Sequence, residues 1–270
     1  MRIFPVIVIY KINLGDSECY RIFLSQLPVD HFMVYDNSPE DFVQNMDELP
    51  EKAIYLRDVT NGGVSVAYNA AANYACEHAY DRILLLDQDT IFPVSMYYEM
   101  MRCDSEVCAP QVVLKKGMPF SPTAWHHGML RGVALSAGQY SLRDYMLINS
   151  GLCVSTELFL RAGGYNEKVK LDFADFQFMH RLLAVTDSFC LLNAVAEQDF
   201  SNDKTDVKVL YGRYCMYIEG ARHYQADKMK DKLKILWLVL LHTLALTKRT
   251  LSMVFLKKLL LGDRYVPFFD

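Results

Sequence analysis

Four short apolar runs dominate the first third of the chain, at residues 3–10, 31–35, 53–57 and 83–86. Each is rich in Val, Ile, Leu, Tyr or Phe, and each ends at a turn or a helix-patterned stretch. Runs of this length with little polar alternation read as strands, the first and the fourth of them buried. The segments between them carry helix signals. Asp16 or Ser17 can cap a helix over 16–26, and the Ala-rich 64–78 follows Asn61-Gly62-Gly63. Pro93 suits the first turn of a further helix, to about residue 101. Strands alternating with helices predict an α/β fold with a mostly parallel central sheet flanked by helices.

The later pattern is less regular. Residues 106–114 read as a strand and 115–145 as loops and short strands across one end of the sheet. A strand at 151–155, a helix at 156–161, a turn at 163–166, a helix at 173–185 and a strand at 188–192 follow. From about residue 206 only helical patterns remain, which predicts a catalytic or binding domain over 1–205 and a C-terminal helical region over 206–270.

With 52% hydrophobic residues the chain can bury a sizeable core. Its net charge of -4 argues against a nucleic-acid partner, which calls for a basic excess. The seven cysteines are scattered and never form a C-x-x-C pair, so neither a disulfide framework nor a structural zinc site is expected. Reduced thiols fit a cytoplasmic protein. The apolar start reads as a strand rather than a signal peptide, and no segment reaches the ~18 uninterrupted apolar residues of a membrane span.

The fourth strand runs straight into Asp87-Gln88-Asp89. Ligands of parallel sheets sit at the carboxyl ends of strands. Two carboxylates one residue apart can face one Mg²⁺ or Mn²⁺ ion, with substrate phosphates completing its shell. A turn with a capping aspartate before the Pro93 helix is the plainer alternative.

Four segments, in order, resemble one family. VIVIY with MVYDNS, NGGVSVAYNAAANYA, LLLDQDT and INSGLCVSTELFLRAGGYNEKVKLDFADFQFMHRL are similar to segments of the family 2 glycosyltransferases of GT-A fold, in their rhamnosyltransferase-like branch. The likeness covers about residues 3–200. It implies an inverting transfer of a sugar from a nucleotide-diphosphate donor, dTDP-rhamnose or a UDP-sugar. The acceptor would be a hydroxyl of a glycan or lipid-linked glycan in bacterial surface polysaccharide assembly. By the same resemblance Asp87 and Asp89 hold Mn²⁺ or Mg²⁺. Tyr10, Asp36, Arg57, Asn61, Gly62, Asn69, Asp87 and Gln88 are then the nucleotide-sugar residues, Asp36 contacting the base. Gln88 is expected to point away from the cation and to tolerate change better than either aspartate.

The family's general base lies six residues before an Arg, which here selects Asp175, before Arg181. The neighbouring Glu of the family is replaced by Ala174, and Gln177 stands where the branch often has Glu. Asp172, three residues upstream, is the rival base, since i,i+3 spacing would put both carboxylates on one helix face. Either could instead serve only as a helix cap. Relatives often carry a His after the last strand; here the stretch reads Ala196-Glu197-Gln198-Asp199, leaving Asp199 or Gln198 as an oxygen ligand. His126 and His127 are either acceptor contacts or plain surface.

Two further classes stay open. One is a weakened, nucleotide-sugar-binding relative of the enzyme. The other is a sugar nucleotidyltransferase, which would want a Gly-rich phosphate loop after the first strand where VIYKINLGDS has one Gly. Lysines at 228, 230, 232 and 234 lead into an apolar stretch that ends at Lys248 and Arg249. That pattern suits either a helix lying on an anionic membrane surface or a helical hairpin packed on the catalytic domain or a second subunit.

Overall fold

A computed structural model describes residues 1–115, 117–198, 206–226, 228–265 and 267. The chain divides into two compact units, one formed by Met1–Glu167 with Asp175–Phe200, the other by Lys168–Ala174 with Ser201–Asp270. The second unit therefore takes a short piece of the middle of the chain as well as its C-terminal helices.

The first unit is built on a ten-stranded sheet. Its strands are β1 (Ile3–Ile9), β2 (Phe32–Asp36), β3 (Ala53–Arg57), β4 (Arg82–Asp87), β5 (Thr90–Ile91), β6 (Val107–Leu114) and β7 (Met118–Ser121). Next come β8 (Thr123–His126) and β9 (Met129–Gly132), a separate hairpin, and then β10 (Gly138–Ser141), β11 (Cys153–Ser155) and β12 (Ser188–Gln198). The order across the sheet is β10-β12-β6-β11-β4-β1-β2-β3, with β5 on β12 and β7 on β6. The four N-terminal strands pair in parallel, as do β6 and β12. β11 lies antiparallel between β4 and β6, so the sheet is mixed where a mostly parallel one is expected.

β1 and β2 are buried at every residue, and β4 at every residue before Asp87. That explains their unbroken apolar runs, because both sheet faces are covered. Helices α1 (Glu18–Ile22), α2 (Val64–Glu77), α3 (Ser95–Arg102), α4 (Thr156–Arg161) and α5 (Ala174–Leu182) surround the sheet. The helix expected over 16–26 is broken into α1 and two 3-10 turns. Phe23 and Leu24 there are fully buried with Phe32 and Phe92 in the core under the sheet. β12 is eleven residues long, not five, and alternates buried with exposed positions. It carries an irregularity between Leu191 and Val195, where Glu99 of α3 accepts the backbone N–H groups of Asn193 and Ala194.

The second unit holds α6 (Val207–His223), α7 (Met229–Thr250) and α8 (Val254–Leu261). Leu210, Tyr211, Tyr214, Ile218, Leu246 and Phe255 form its core. The Tyr214 hydroxyl and Thr243 Oγ1 share a buried 2.6 Å hydrogen bond between α6 and α7. Among the described residues no helix is long and apolar enough to cross a membrane.

Candidate functional site

Asp87 is the last residue of β4, where the strand leaves the buried centre of the sheet. Its Oδ2 accepts from the Ser150 hydroxyl and, at 3.2 Å, from Gln198 Nε2. Among the described residues its Oδ1 is buried with no hydrogen-bond partner, and so is Gln198 Oε1. Burial pushes the Asp87 carboxyl above the usual carboxylate range, while the Ser150 and Thr90 hydroxyls pull the other way. Asp89, two residues on, is exposed.

Three elements build this corner. The short β5 pairs antiparallel with the end of β12, setting Thr90 opposite Gln198. Ser150 comes from the loop before β11, where Gly151 has φ +77° and donates its N–H to Leu85 of β4. A Cβ on Gly151 would lie 2.7 Å from Phe92, so the loop approaches this closely only with glycine. Ser150 is a residue that sequence reasoning misses; the Asn-Ser-Gly ahead of a strand is its only signal. Gln198 is the alternative to Asp199 as an oxygen donor, and Asp199 lies outside the described residues.

Gln88 is less free than expected. Its side-chain Oε1 accepts the Tyr10 backbone N–H at 2.7 Å, and its carbonyl accepts from the Ser17 hydroxyl at 2.8 Å. The loop between Asp87 and Asp89 is thus tied to the end of β1. The Tyr10 side chain itself is exposed beside Lys11, whose N–H donates to Ser38 Oγ.

The other expected nucleotide-sugar residues divide by how their polar atoms are used. Asp36 is fully buried; Oδ1 accepts the Ser38 N–H and Oδ2 the Tyr55 hydroxyl at 2.7 Å. Burial, then the Asp36 carboxylate, push the Tyr55 phenol up. Arg57 donates one guanidinium nitrogen to the carbonyls of Pro39, Glu40 and Phe42, which fixes the loop after β2. Gly62 gives its N–H to Asp58 Oδ2, and a Cβ there would meet that oxygen at 2.6 Å. Asp58 also accepts from Thr60 and Tyr35, so it organises the turn in which Asn61 sits at φ +51°.

Asn69 clamps a turn. Its Nδ2 donates to the Tyr165 carbonyl and Glu167, and its Oδ1 accepts the Tyr165 N–H. Arg181 donates to the carbonyls of Gly163 and Gly164 from the other side. The clamp seats Tyr165, which stacks on Phe178 at 4.2 Å and donates its hydroxyl to Asn149, next to Ser150.

Asp175 stands in the first turn of α5. The buried Tyr68 phenol of α2 is pushed up by burial first, then by the charges of Asp87 and Asp175. Asp172 does not share a helix face with Asp175, because α5 begins at Ala174 and Phe173 is left-handed at φ +69°. It belongs to the helical unit, where burial raises its carboxyl and Arg213 of α6 opposes that. His126 and His127 stack on each other at 4.7 Å at the exposed tip of the β8–β9 hairpin.

The donors fit a hard cation. An orphaned buried oxygen on Asp87 and another on Gln198 are groups that an ion or its water shell would satisfy. Among the described residues no group of three or more His, Cys, Asp and Glu side chains comes together.

No protein-family model matches the chain. Over 190 residues it is 23% identical to the dTDP-rhamnosyl transferase RfbF of Shigella flexneri, covering 67% of this chain and 63% of that protein. It therefore spans less than two-thirds of that relative's length. GalNAc-T7 with UDP, GalNAc and Mn²⁺ superposes with a TM-score of 0.55 at 12% identity, over 80% of this chain and 48% of that one. TarS 1–349 of S. aureus in complex with UDP gives 0.53 at 14% identity, over 98% and 73%. These likenesses are of fold, and the fold is that of the GT-A glycosyltransferases.

Proposed function

We propose that the chain is an inverting glycosyltransferase that moves a sugar from a nucleotide-diphosphate donor to a hydroxyl of a glycan or lipid-linked glycan. The observation that carries this reading is the half-satisfied Asp87 carboxylate at the end of β4. A strand end of an open α/β sheet is where such ligands bind, and burying a carboxylate oxygen without a partner is costly unless something positive joins it. The similarity to a dTDP-rhamnosyl transferase favours dTDP-rhamnose as the first donor to try, and the UDP-bound fold relatives favour UDP-sugars next.

Asp87 and Asp89 are the carboxylates that would hold Mn²⁺ or Mg²⁺, with Gln198 Oε1 as a neutral oxygen beside them. Such an ion, when bound, supplies neutralisation of the charge on the departing diphosphate. Ser150 and Gln198 hold Asp87 in place, and Gln88 holds the loop to β1. Asp36, at the end of β2, stays the candidate for the base. Arg57, Gly62 and Asn69 serve by fixing loops rather than by touching the donor.

Asp175 takes the proton of the acceptor hydroxyl. The hydroxyl oxygen forms its bond to the anomeric carbon as the carbon–oxygen bond to the diphosphate breaks, so the configuration inverts and no covalent enzyme intermediate arises. Asp172 is set aside as the base by its place with Arg213. Scattered free thiols support a cytoplasmic setting, and assembly of a bacterial surface polysaccharide is the pathway class that the rhamnosyl relative suggests.

The test is turnover of a panel of dTDP- and UDP-sugars with and without Mn²⁺. One donor is expected to be consumed in a metal-dependent way, with Asp87→Ala and Asp89→Ala inactive. Transfer that survives both substitutions would remove the basis of the assignment.

A further inference from the structure

Helix α7 has two apolar faces, and among the described residues one is buried and the other largely exposed. Ile235, Val239, Thr243 and Leu246 are buried. Met229, Leu233, Leu236, Trp237, Leu240 and Leu244 are 37–70% exposed. At about 100° per residue these six fall within roughly 100° of arc. Lys232 lies on one margin of that arc, and Lys230 and Lys248 on the other. The exposed Leu251 at the helix end, 90% accessible, continues the stripe, and Met253, just before α8, with Leu260 and Leu261 of α8, adds to it around Lys257.

The charge is as uneven as the hydrophobicity. Residues 228–265 hold nine Lys and Arg against two Asp, a net +7 in a chain whose total is -4, which leaves -11 for the remainder. Both aspartates are already paired, Asp231 with Lys234 and Asp263 with Arg222 and Lys258. No charged residue lies between Ile235 and Thr247.

We infer that this face of α7 and α8 is a docking surface for an anionic lipid bilayer, lying in the interface with the lysines at headgroup level. A wide apolar stripe bordered by basic residues, with one Trp among leucines, is the pattern of an interfacial helix. A second copy of this chain is the poorer occupant. A two-fold contact through the same face would set Lys230, Lys232, Lys248 and Lys257 against the same lysines of the other copy, and like charges across an interface oppose association. The inference does not depend on the sugar chemistry.

The experiment is flotation of the whole chain with vesicles of phosphatidylcholine alone and with about 30% phosphatidylglycerol added. Partition is expected to be at least about tenfold stronger into the anionic vesicles and to fall at about 0.5 M salt. Each basic residue near the surface is worth about fivefold, so Lys230→Gln, Lys232→Gln and Lys248→Gln together should weaken partition about 100-fold. Leu236→Ser with Leu240→Ser should abolish it. In a Trp125→Phe background the emission of Trp237 should shift to the blue on binding. These side chains are exposed, and an unchanged melting curve and donor turnover check that the variants fold. Equal partition into both vesicle types, or none into either, overturns the inference. So does a dimer in light scattering that the two Leu→Ser changes dissociate while vesicles are ignored.

Discussion

Ser150→Ala is the most informative single change, because it removes one of the two hydrogen bonds that hold Asp87 Oδ2 and touches nothing else the proposed chemistry needs. A hydrogen bond to an ionised group contributes about 1.5–3 kcal/mol. At about 1.4 kcal/mol per factor of ten, its loss should weaken Mn²⁺ binding about 10- to 100-fold, the range found for groups that orient a metal-holding carboxylate. The pH dependence should move too. Burial already raises the Asp87 carboxyl, and the Ser150 hydroxyl is the largest influence holding it down. Without that hydroxyl the carboxyl rises further, so at a given pH less of it is ionised and the acid limb of Mn²⁺ binding shifts to higher pH. Titration calorimetry with Mn²⁺ from about pH 5 to 8 reads both effects, and Ser150→Thr should restore part of each. A variant with unchanged Mn²⁺ affinity and an unmoved acid limb would refute the reasoning, whatever its turnover.

Asp87→Asn separates site from scaffold: in the presence of chelator it should melt no lower than the parent at about pH 7. A carboxyl raised by burial contributes stability below its ordinary value and loses it as pH rises through the folded value, so the ionised form is the costly one. The same variant should lose the rise in melting temperature that Mn²⁺ gives the parent. Asn69→Ala should cost about 2–4 kcal/mol, because three hydrogen bonds to Tyr165 and Glu167 go and a backbone N–H is orphaned; calorimetry should show a fall of about 5 °C or more. Asp175→Asn should lower single-turnover transfer by about 10²- to 10⁴-fold with donor binding kept, while Asp172→Asn, a residue of the helical unit whose carboxyl feels the charge of Arg213, should keep transfer. The reverse order would return the base to Asp172.

Local pattern and sheet geometry contributed differently. β3 at Ala53–Arg57 and α4 at Thr156–Arg161 have the bounds their residues imply, and α2 differs by one residue at its end. Those segments have clean periodicity and clear stops, so local preference and tertiary packing agree. The stretch 16–26 has helix-forming residues but is split, because Phe23 and Leu24 must both turn into the core. The pattern of β12 suggests half its length because its second part alternates and bends at Leu191–Val195, which weakens any local signal. The antiparallel insertion of β11 depends on which edges were left to pair, a property of the whole sheet.

The candidate site shows the same division. Asp87 and Asp89 are legible, since a buried apolar run that closes on two carboxylates must deliver both charges to one strand end. Asp175 is legible only through its spacing from Arg181. Ser150 and Gln198 are not, because they lie 63 and 111 residues from Asp87 in the chain and meet it only when β11 and β12 close on β4 and β5. Nor are the loop bonds of Arg57, Gly62 and Asn69 legible, polar or small residues near the expected mouth whose hydrogen bonds go to distant backbone and turn groups. By itself the amino-acid order determined the buried strands, the helices between them and the charges at their ends, all consequences of burial and period over a few residues. Only the tertiary structure decided which oxygens of those charges were satisfied and by what, because hydrogen bonding depends on partners that distance along the chain does not reveal.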